Sequence, residues 1–316
     1  MKKQEFRPQA DNRVATLHQI VMQLNEHEPL RKQRLTNCIE MLKHKQPGFG
    51  QVLSGFDYYN QGLGVYIAEL LKEERCASLT LKSCIVTGMH ASLFERFLYE
   101  RENSDYKATN PFVSEIITLH GMAAEAGYGE FCDWLGDYIC LLLSSEAGEL
   151  LQAIDPDFVC FFRRLLGFRK TAKFDAATLS GGGVYDELLA SINDFERLQA
   201  FLPRYCDFRW SNAFGWNDVN AKKKRPASQQ FPSSIFSDVS WKTLIPFELF
   251  SLKYVYKSVY KKELFLNADH PLLSGSFTSI ELPKEEVENE LIGNLGYAID
   301  SSIGRGWRSM FSRENR

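Results

Sequence analysis

The chain has 316 residues, of which 44% are hydrophobic and 13% aromatic, enough apolar material for one large core or two smaller ones. Its formal net charge is −3, so the composition excludes global disorder and any bulk attraction to nucleic acid or to an anionic membrane. No apolar run approaches the roughly 18 residues that a membrane-spanning helix needs. No apolar stretch follows the N-terminal lysines, as a secretory signal would require. We therefore expect a cytoplasmic protein without a membrane partner.

Apolar residues recur at helical spacing along most of the chain. The pattern predicts helices over residues 14–25, 30–45, 58–75, 79–101, 112–126, 129–154, 156–168, 184–201, 246–265 and 283–299. Asp155 is suited to cap the helix that Pro156 opens. Short extended segments are expected only at 264–266 and 277–282, near the C-terminus. The sequence thus predicts a mainly α fold, a bundle-like globular body of many helices.

Residues 1–316 are predicted to form a single helical domain. The alternative is an N-terminal helical subdomain at 1–105 and a main body at 111–316. The stretch 211–240 has no helical periodicity and is rich in Ser, Asn, Pro and Gln, which predicts a long surface loop.

This stretch contains four consecutive basic residues, Lys222–Arg225. An alternative function is that of a nucleic-acid-associated regulatory protein, which would use this cluster together with Arg204 and Arg209. The cluster lacks the interleaved aromatic residues and the broad basic face of nucleic-acid binders. We therefore interpret it as part of a solvated loop, with nucleic acid not expected as a partner.

Residues that carry chemistry in enzymes form no recognised motif here. No histidine pair has metal-binding spacing, and the seven cysteines include no C-x-x-C pair. The glycines 181–183 precede a predicted helix but lack the Lys-Ser or Lys-Thr of a phosphate-binding loop. We predict no catalytic residue, no metal and no cofactor. The alternative is a helical enzyme with a dispersed site, in which His90 and His120 meet acidic residues in a cleft.

One part of the chain carries an excess of acid. Residues 111–200 contain 14 acidic and 6 basic residues, a net charge of −8, whereas the preceding and following parts carry +2 and +3. Glu130, Asp133 and Asp137 recur at three- and four-residue spacing, so they share one face of a helix. Such like charges repel by a few tenths of a kcal/mol per pair, which a basic partner would relieve. Neutralisation by basic residues elsewhere in the fold is the alternative.

The C-terminal part resembles a known class of proteins. The apolar segment SWKTLIPFELFSLKYVYKSVYKK, followed by ELFLNADHPLL, is similar to helical immunity proteins of bacterial polymorphic toxins and type VI secretion effectors. Several such families have a Pro-Leu-Leu-like end after a late helix, and Pro271-Leu272-Leu273 matches it. The resemblance covers residues 195–275.

The resemblance implies a non-catalytic binding protein that occludes the active site of a cognate toxin. The partner would be a basic protein, such as a secreted nuclease, and the acidic stretch would imitate nucleic acid. Glu130, Asp133 and Asp137 would then contact the partner. Affinity also needs aromatic anchors, because charge mainly sets the association rate and specificity, and Trp134 and Tyr128 are the candidates.

Overall fold

The computed structural model describes residues 49–71, 78–101, 112–149, 156–171, 183–214, 245–268, 282–284 and 289–313, with the positions 29, 33, 36, 37, 39–41, 270, 273, 286 and 287. Most of these residues are helical and none of them lies in a β-strand, which confirms the mainly α fold. None of the described helices is long and apolar enough to cross a bilayer.

The α-helices whose bounds fall within the described residues are numbered in chain order. They are α1 Phe49–Leu71, α2 Ser78–Arg101, α3 Val113–Glu125, α4 Gly129–Leu143, α5 Pro156–Thr171, α6 Val184–Ser191, α7 Phe195–Phe214, α8 Phe247–Tyr260 and α9 Glu290–Ile303. A 3₁₀ helix, Gly306–Phe311, follows α9.

The chain divides into two compact units. The first comprises Met1–Glu95 and Leu282–Ile303, and so contains α1, most of α2, and α9. The second comprises Arg96–Glu281 and Gly304–Arg316, and so contains α3 to α8 and the 3₁₀ helix. The division falls inside α2, where the chain passes from one unit to the other.

In the first unit, small residues let α1 and α2 approach closely. A side chain added at Gly62 would overlap the Cys84 sulfur, and one added at Gly55 would overlap Ala91. Glycine at these two positions therefore removes the steric barrier to backbone contact between the helices.

Helix α9 completes the first unit. Its buried Leu291 and Leu295 pack with Ile39, and Tyr58 of α1 lies against this cluster. Asn289, just before α9, donates a hydrogen bond of 3.1 Å from its amide to the Tyr58 hydroxyl, and its side-chain oxygen accepts one from the Leu291 backbone. The same side chain thus joins α9 to α1 and caps the start of α9.

Helix α3 is the central element of the second unit. Its residues from Ile116 to Glu125 are all buried, because α4 and α8 both pack against it. Helix α5 packs against α4, α6 and α8, and α6 packs against α7. A connected set of aromatic rings fills the space between α5, α6 and α8: Phe158, Phe161, Phe162, Tyr185 and Phe247.

Two predicted helices are shorter or interrupted in the structure. The helix predicted over 129–154 is interrupted after Leu143, where the chain turns at residues 144 and 145 before residues 146–149 become helical again. The helix predicted over 184–201 is two helices, α6 and α7. They separate at Asp194, whose side chain accepts a 3.1 Å hydrogen bond from the Arg197 backbone and so caps α7.

The predicted boundaries of the last helices also shift. Helix α8 ends at Tyr260, where Lys261 takes a left-handed conformation with φ 55°, and residues 261–268 are non-helical. Residues 211–214 of the predicted loop belong to α7. The rest of that loop, with Lys222–Arg225, lies outside the described residues, as do the predicted helix 14–25 and the segment 277–281.

Candidate partner-binding surface

Helix α4 presents the three predicted acids on its exposed side. Glu130 is exposed, and the side chains of Asp133 and Asp137 are 54% and 51% exposed. The opposite side of α4 is apolar and faces the core through Phe131, Leu135, Tyr138, Ile139 and Leu142. The 3.6-residue period therefore fixes which side of α4 carries the charge. We call Glu130, Asp133, Asp137 and Leu141 the α4 face.

Two of these acids are paired within the chain. Arg169 of α5 contacts Asp133 through one guanidinium nitrogen and lies 3.3 Å from Asp137 through the other, and Lys170 lies 3.2 Å from Asp137. Glu130 forms no ion pair with any described residue. Neutralisation by other parts of the fold was the alternative for these acids. It applies to Asp133 and Asp137, whereas no described basic residue pairs with Glu130.

Tyr254 of α8 holds Asp133 in place. Its hydroxyl oxygen lies 2.6 Å from an Asp133 carboxylate oxygen and 2.7 Å from the carbonyl oxygen of Gly129. Burial, and then the hydrogen bond to Asp133, raise the pKa of Tyr254, so the hydroxyl keeps its proton. The Tyr254 hydroxyl group thus donates its proton between the Gly129 carbonyl and the Asp133 carboxylate, which fixes the start of α4 against α8.

The two predicted aromatic anchors have different environments. Trp134 is partly buried and stacks on Phe131 with ring centroids 5.5 Å apart, and the Arg96 guanidinium lies 5.2 Å from its ring. Tyr128 is only 2% exposed, because the residue before α4 turns into the core. Its ring therefore cannot act as a surface anchor in this structure. Leu141, 44% exposed and one turn after Asp137, is an apolar surface residue that the sequence prediction did not name.

The histidines considered for a dispersed catalytic site are both buried. The Nδ1 atom of His120 lies 2.8 Å from the Ser251 hydroxyl, and burial, followed by the charge of Arg169, lowers its pKa to about 3. His90 belongs to the first unit, and its Nδ1 lies 2.8 Å from the Val86 carbonyl oxygen of its own helix. Neither histidine lines either of the two cavities described below. Among the described residues, no three His, Cys, Asp or Glu side chains form a group that could hold a metal ion.

The basic residues considered for nucleic-acid contact also separate. Arg209 is 3% exposed and forms a buried ion pair of 2.9 Å with Glu248, while also contacting the Ile245 carbonyl oxygen. Tyr205 donates a further hydrogen bond to Glu248. Arg204 is exposed and pairs with Glu187 at 2.8 Å. Arg209 is therefore a structural residue that fixes the start of α8, and it offers no charge to a phosphate.

A groove lies beside the α4 face, between the α3–α4 turn and α8. Its volume is about 740 Å³. Glu125, Gly127, Gly129 and Asp133 line one side, and Lys253 and Lys257 of α8 line the other, with Lys261 and Glu263 following. A second cavity of about 380 Å³ shares Phe250, Lys253 and Glu263 with the groove and is otherwise lined mainly by apolar side chains.

Compared with protein families, characterised proteins and solved structures, the chain shows no match. The resemblance to immunity proteins stays a prediction from the sequence.

Proposed function

We propose that this chain is a non-catalytic binding protein that neutralises a basic toxin by covering its active site with the α4 face. The observation that carries the proposal is the placement of three carboxylates on one exposed side of a helix that the core holds rigidly. A rigid row of negative charge suits a basic active-site cleft, such as that of a nuclease, because little conformational entropy is lost on docking.

The internal ion pairs leave this face usable. Asp133 and Asp137 remain half exposed while paired with Arg169 and Lys170, and ion pairs in that setting stabilise a fold by about 0–1 kcal/mol. A partner's arginine or lysine can therefore replace them at small cost. Within the described part of the chain, Glu130 has no ion pair that a partner would have to replace, so it is the most available of the three acids.

Apolar contacts beside the acids would supply affinity. Leu141 lies four residues after Asp137, on the same side of α4, and Trp134 is partly exposed between the acids. Hot spots in protein interfaces are typically a few large side chains surrounded by polar contacts, and this arrangement has that composition.

The proposal is tested by affinity capture of the tagged full-length chain at low salt, followed by identification of the proteins retained. We expect one stoichiometric basic protein that is released as the salt concentration rises, because screening weakens contacts between exposed charges. The purified partner should lose its activity when an equimolar amount of this chain is added.

Glu130→Lys is the informative variant and Glu196→Lys is its matched control. Both glutamates are exposed, and each is the second residue of its helix, α4 or α7, so the cost of reversal near the helix N-terminus is similar. We expect Glu130→Lys to weaken binding of the captured partner about tenfold and Glu196→Lys less than twofold. Equal effects of the two variants would remove the α4 face from the interface.

A further inference from the structure

We propose that the groove between the α3–α4 turn and α8 binds a small organic anion whose apolar part extends into the adjoining cavity. This site adjoins the α4 face, with which it shares only Asp133, and it does not depend on the proposed function. Its volume of about 740 Å³ lies in the range of small-molecule sites, roughly 300–1,000 Å³.

Three lysines follow one side of α8 and its end along the groove. Lys253, Lys257 and Lys261 are spaced by four residues, and all three line the groove. Like charges at this spacing are unfavourable unless negative charge faces them. The chain itself provides part of that charge, since Lys253 pairs with the buried Glu125 at 2.9 Å and Lys257 pairs with Glu263 at 2.6 Å.

The available positive charge is at the Lys261 end. Lys261 is exposed and forms no ion pair with a described residue. The Lys257–Glu263 pair joins side chains that are 49% and 54% exposed, so a ligand's anionic group can replace Glu263 at little cost. The buried Glu125 remains in its ion pair with Lys253. Asp133 remains paired with Arg169 and hydrogen-bonded to Tyr254. The remaining acids are thus neutralised by protein partners before a ligand arrives.

The opposite wall adds backbone donors. Gly127 and Gly129 carry no side chain, so a ligand can reach the backbone of the α3–α4 turn. Gly129 is the first residue of α4, and the first amides of a helix have no intrahelical acceptor. This end of the helix and its dipole favour a ligand whose anionic group lies in the groove.

The apolar lining of the adjoining cavity indicates that the rest of the ligand is a hydrocarbon group. Leu249, Leu264 and Leu266 line it, and it meets the groove at Phe250 and Lys253. An anionic group at Lys257 and Lys261 with a hydrocarbon chain directed past Phe250 would occupy both. A short-chain carboxylate has this shape and is the simplest probe.

The test is a titration of the ¹⁵N-labelled full-length chain with hexanoate at constant ionic strength, followed by NMR. We expect saturable shifts of the Gly127, Gly129 and Lys261 amides, with acetate binding at least fivefold more weakly because it does not reach the second cavity. Lys261→Gln should weaken hexanoate binding at least fivefold. Lys262→Gln, a neighbouring exposed lysine that does not line the groove, should change it less than twofold.

Shifts that do not saturate, or that chloride alone reproduces, would overturn the site. Equal effects of Lys261→Gln and Lys262→Gln would do the same. Equal affinity for acetate and hexanoate would overturn the role of the second cavity. None of these variants changes the α4 face, so failure here and failure of the toxin-binding proposal are distinguishable.

Discussion

Burial decides the protonation of the Cys84, Cys206 and His120 side chains. Burial raises the pKa of the Cys84 and Cys206 thiols to about 12, so both stay protonated and unreactive as nucleophiles. For Cys206, burial raises the pKa by more than the neighbouring charge of Arg209 lowers it. The same effect lowers the pKa of His120, whose charged form would lose its hydration in the core.

His120 predicts a pH dependence of stability. Its pKa is about 3 in the folded chain and about 6.5 when unfolded, so the unfolded state binds the proton first as the pH falls. Stability is therefore lost below pH 6.5, down to about pH 3. Between pH 7 and pH 5, His120 alone should lower the free energy of unfolding by about 2 kcal/mol.

Urea unfolding of the wild type and of His120→Asn at pH 7, 6 and 5 checks this. Asn can keep a hydrogen bond to Ser251 but does not titrate in this range. The difference between the two free energies of unfolding should change by about 2 kcal/mol over the two pH units. A difference that is independent of pH would show that the histidine has the same pKa in the folded and unfolded chains, and a difference that changes with the opposite sign would show that it is protonated in the folded chain.

Single residues also mark where sequence reasoning failed at the candidate sites. The face shared by Glu130, Asp133 and Asp137 follows from helical periodicity alone, and the structure has it. The internal partner Arg169 lies 32 residues or more further along the chain, and no local pattern indicates that contact. Arg209 and Tyr128 were assigned to surfaces because of their residue type, whereas the structure buries both.

At the scale of helices, close backbone contact depends on glycine. A side chain added at Gly121 of α3 would overlap the backbone carbonyl of Phe247 at the start of α8. Gly167 of α5 is also helical, but a side chain there would meet nothing within 4 Å. Glycine is thus required at the first position and is only an entropic cost at the second.

This contrast gives a matched pair of substitutions. Gly121→Ala should destabilise the protein by about 1–3 kcal/mol, because α3 and α8 must move apart. Gly167→Ala should stabilise it by about 0.5–1 kcal/mol, through higher helix propensity and a less flexible unfolded chain. Chemical denaturation of both variants provides the measurement, and a similar change in both would show that α3 and α8 do not touch at Gly121.

Periodicity located most helices and missed two interruptions. The apolar pattern continues through Asp194, so the sequence predicts α6 and α7 as one helix. Asp194 is a favoured N-cap residue, and it was the one local signal that a new helix starts there. The end of α8 carried no such signal. Lys261 takes a left-handed conformation there, a position where glycine is usual.

At the scale of the whole molecule, the C-terminal residues serve both compact units. Leu282–Ile303 belongs to the first unit, and the following 3₁₀ helix belongs to the second. There Phe311 lies 5.7 Å from Phe131 of α4, and Arg313 donates a 3.1 Å hydrogen bond to the carbonyl oxygen of Ala126. The sequence shows no periodicity or motif that assigns these neighbouring segments to different units, because the assignment depends on contacts between distant residues.

Deletion of Gly304–Arg316 should therefore destabilise the second unit selectively. We expect faster hydrogen exchange in α3 and α4, which lose the contacts of Phe311 and Arg313, and unchanged exchange in α1 and α9. Phe311→Ala in the full-length chain should reproduce part of the effect on α4. If the deletion accelerated hydrogen exchange in α1 as much as in α4, this would contradict the assignment of the segment to the second unit alone.

The composition of the first unit has a consequence for synthesis. Helix α9 ends at Ile303, 208 residues after Glu95, so at about 5–20 residues per second the ribosome takes roughly 10–40 s to supply it. Until then, the apolar surface around Tyr58 and Ile39 that α9 covers is open to chaperones and proteases. A ribosome that stops between Arg96 and Leu282 therefore releases a chain whose first unit lacks α9, even where α3 to α8 are complete.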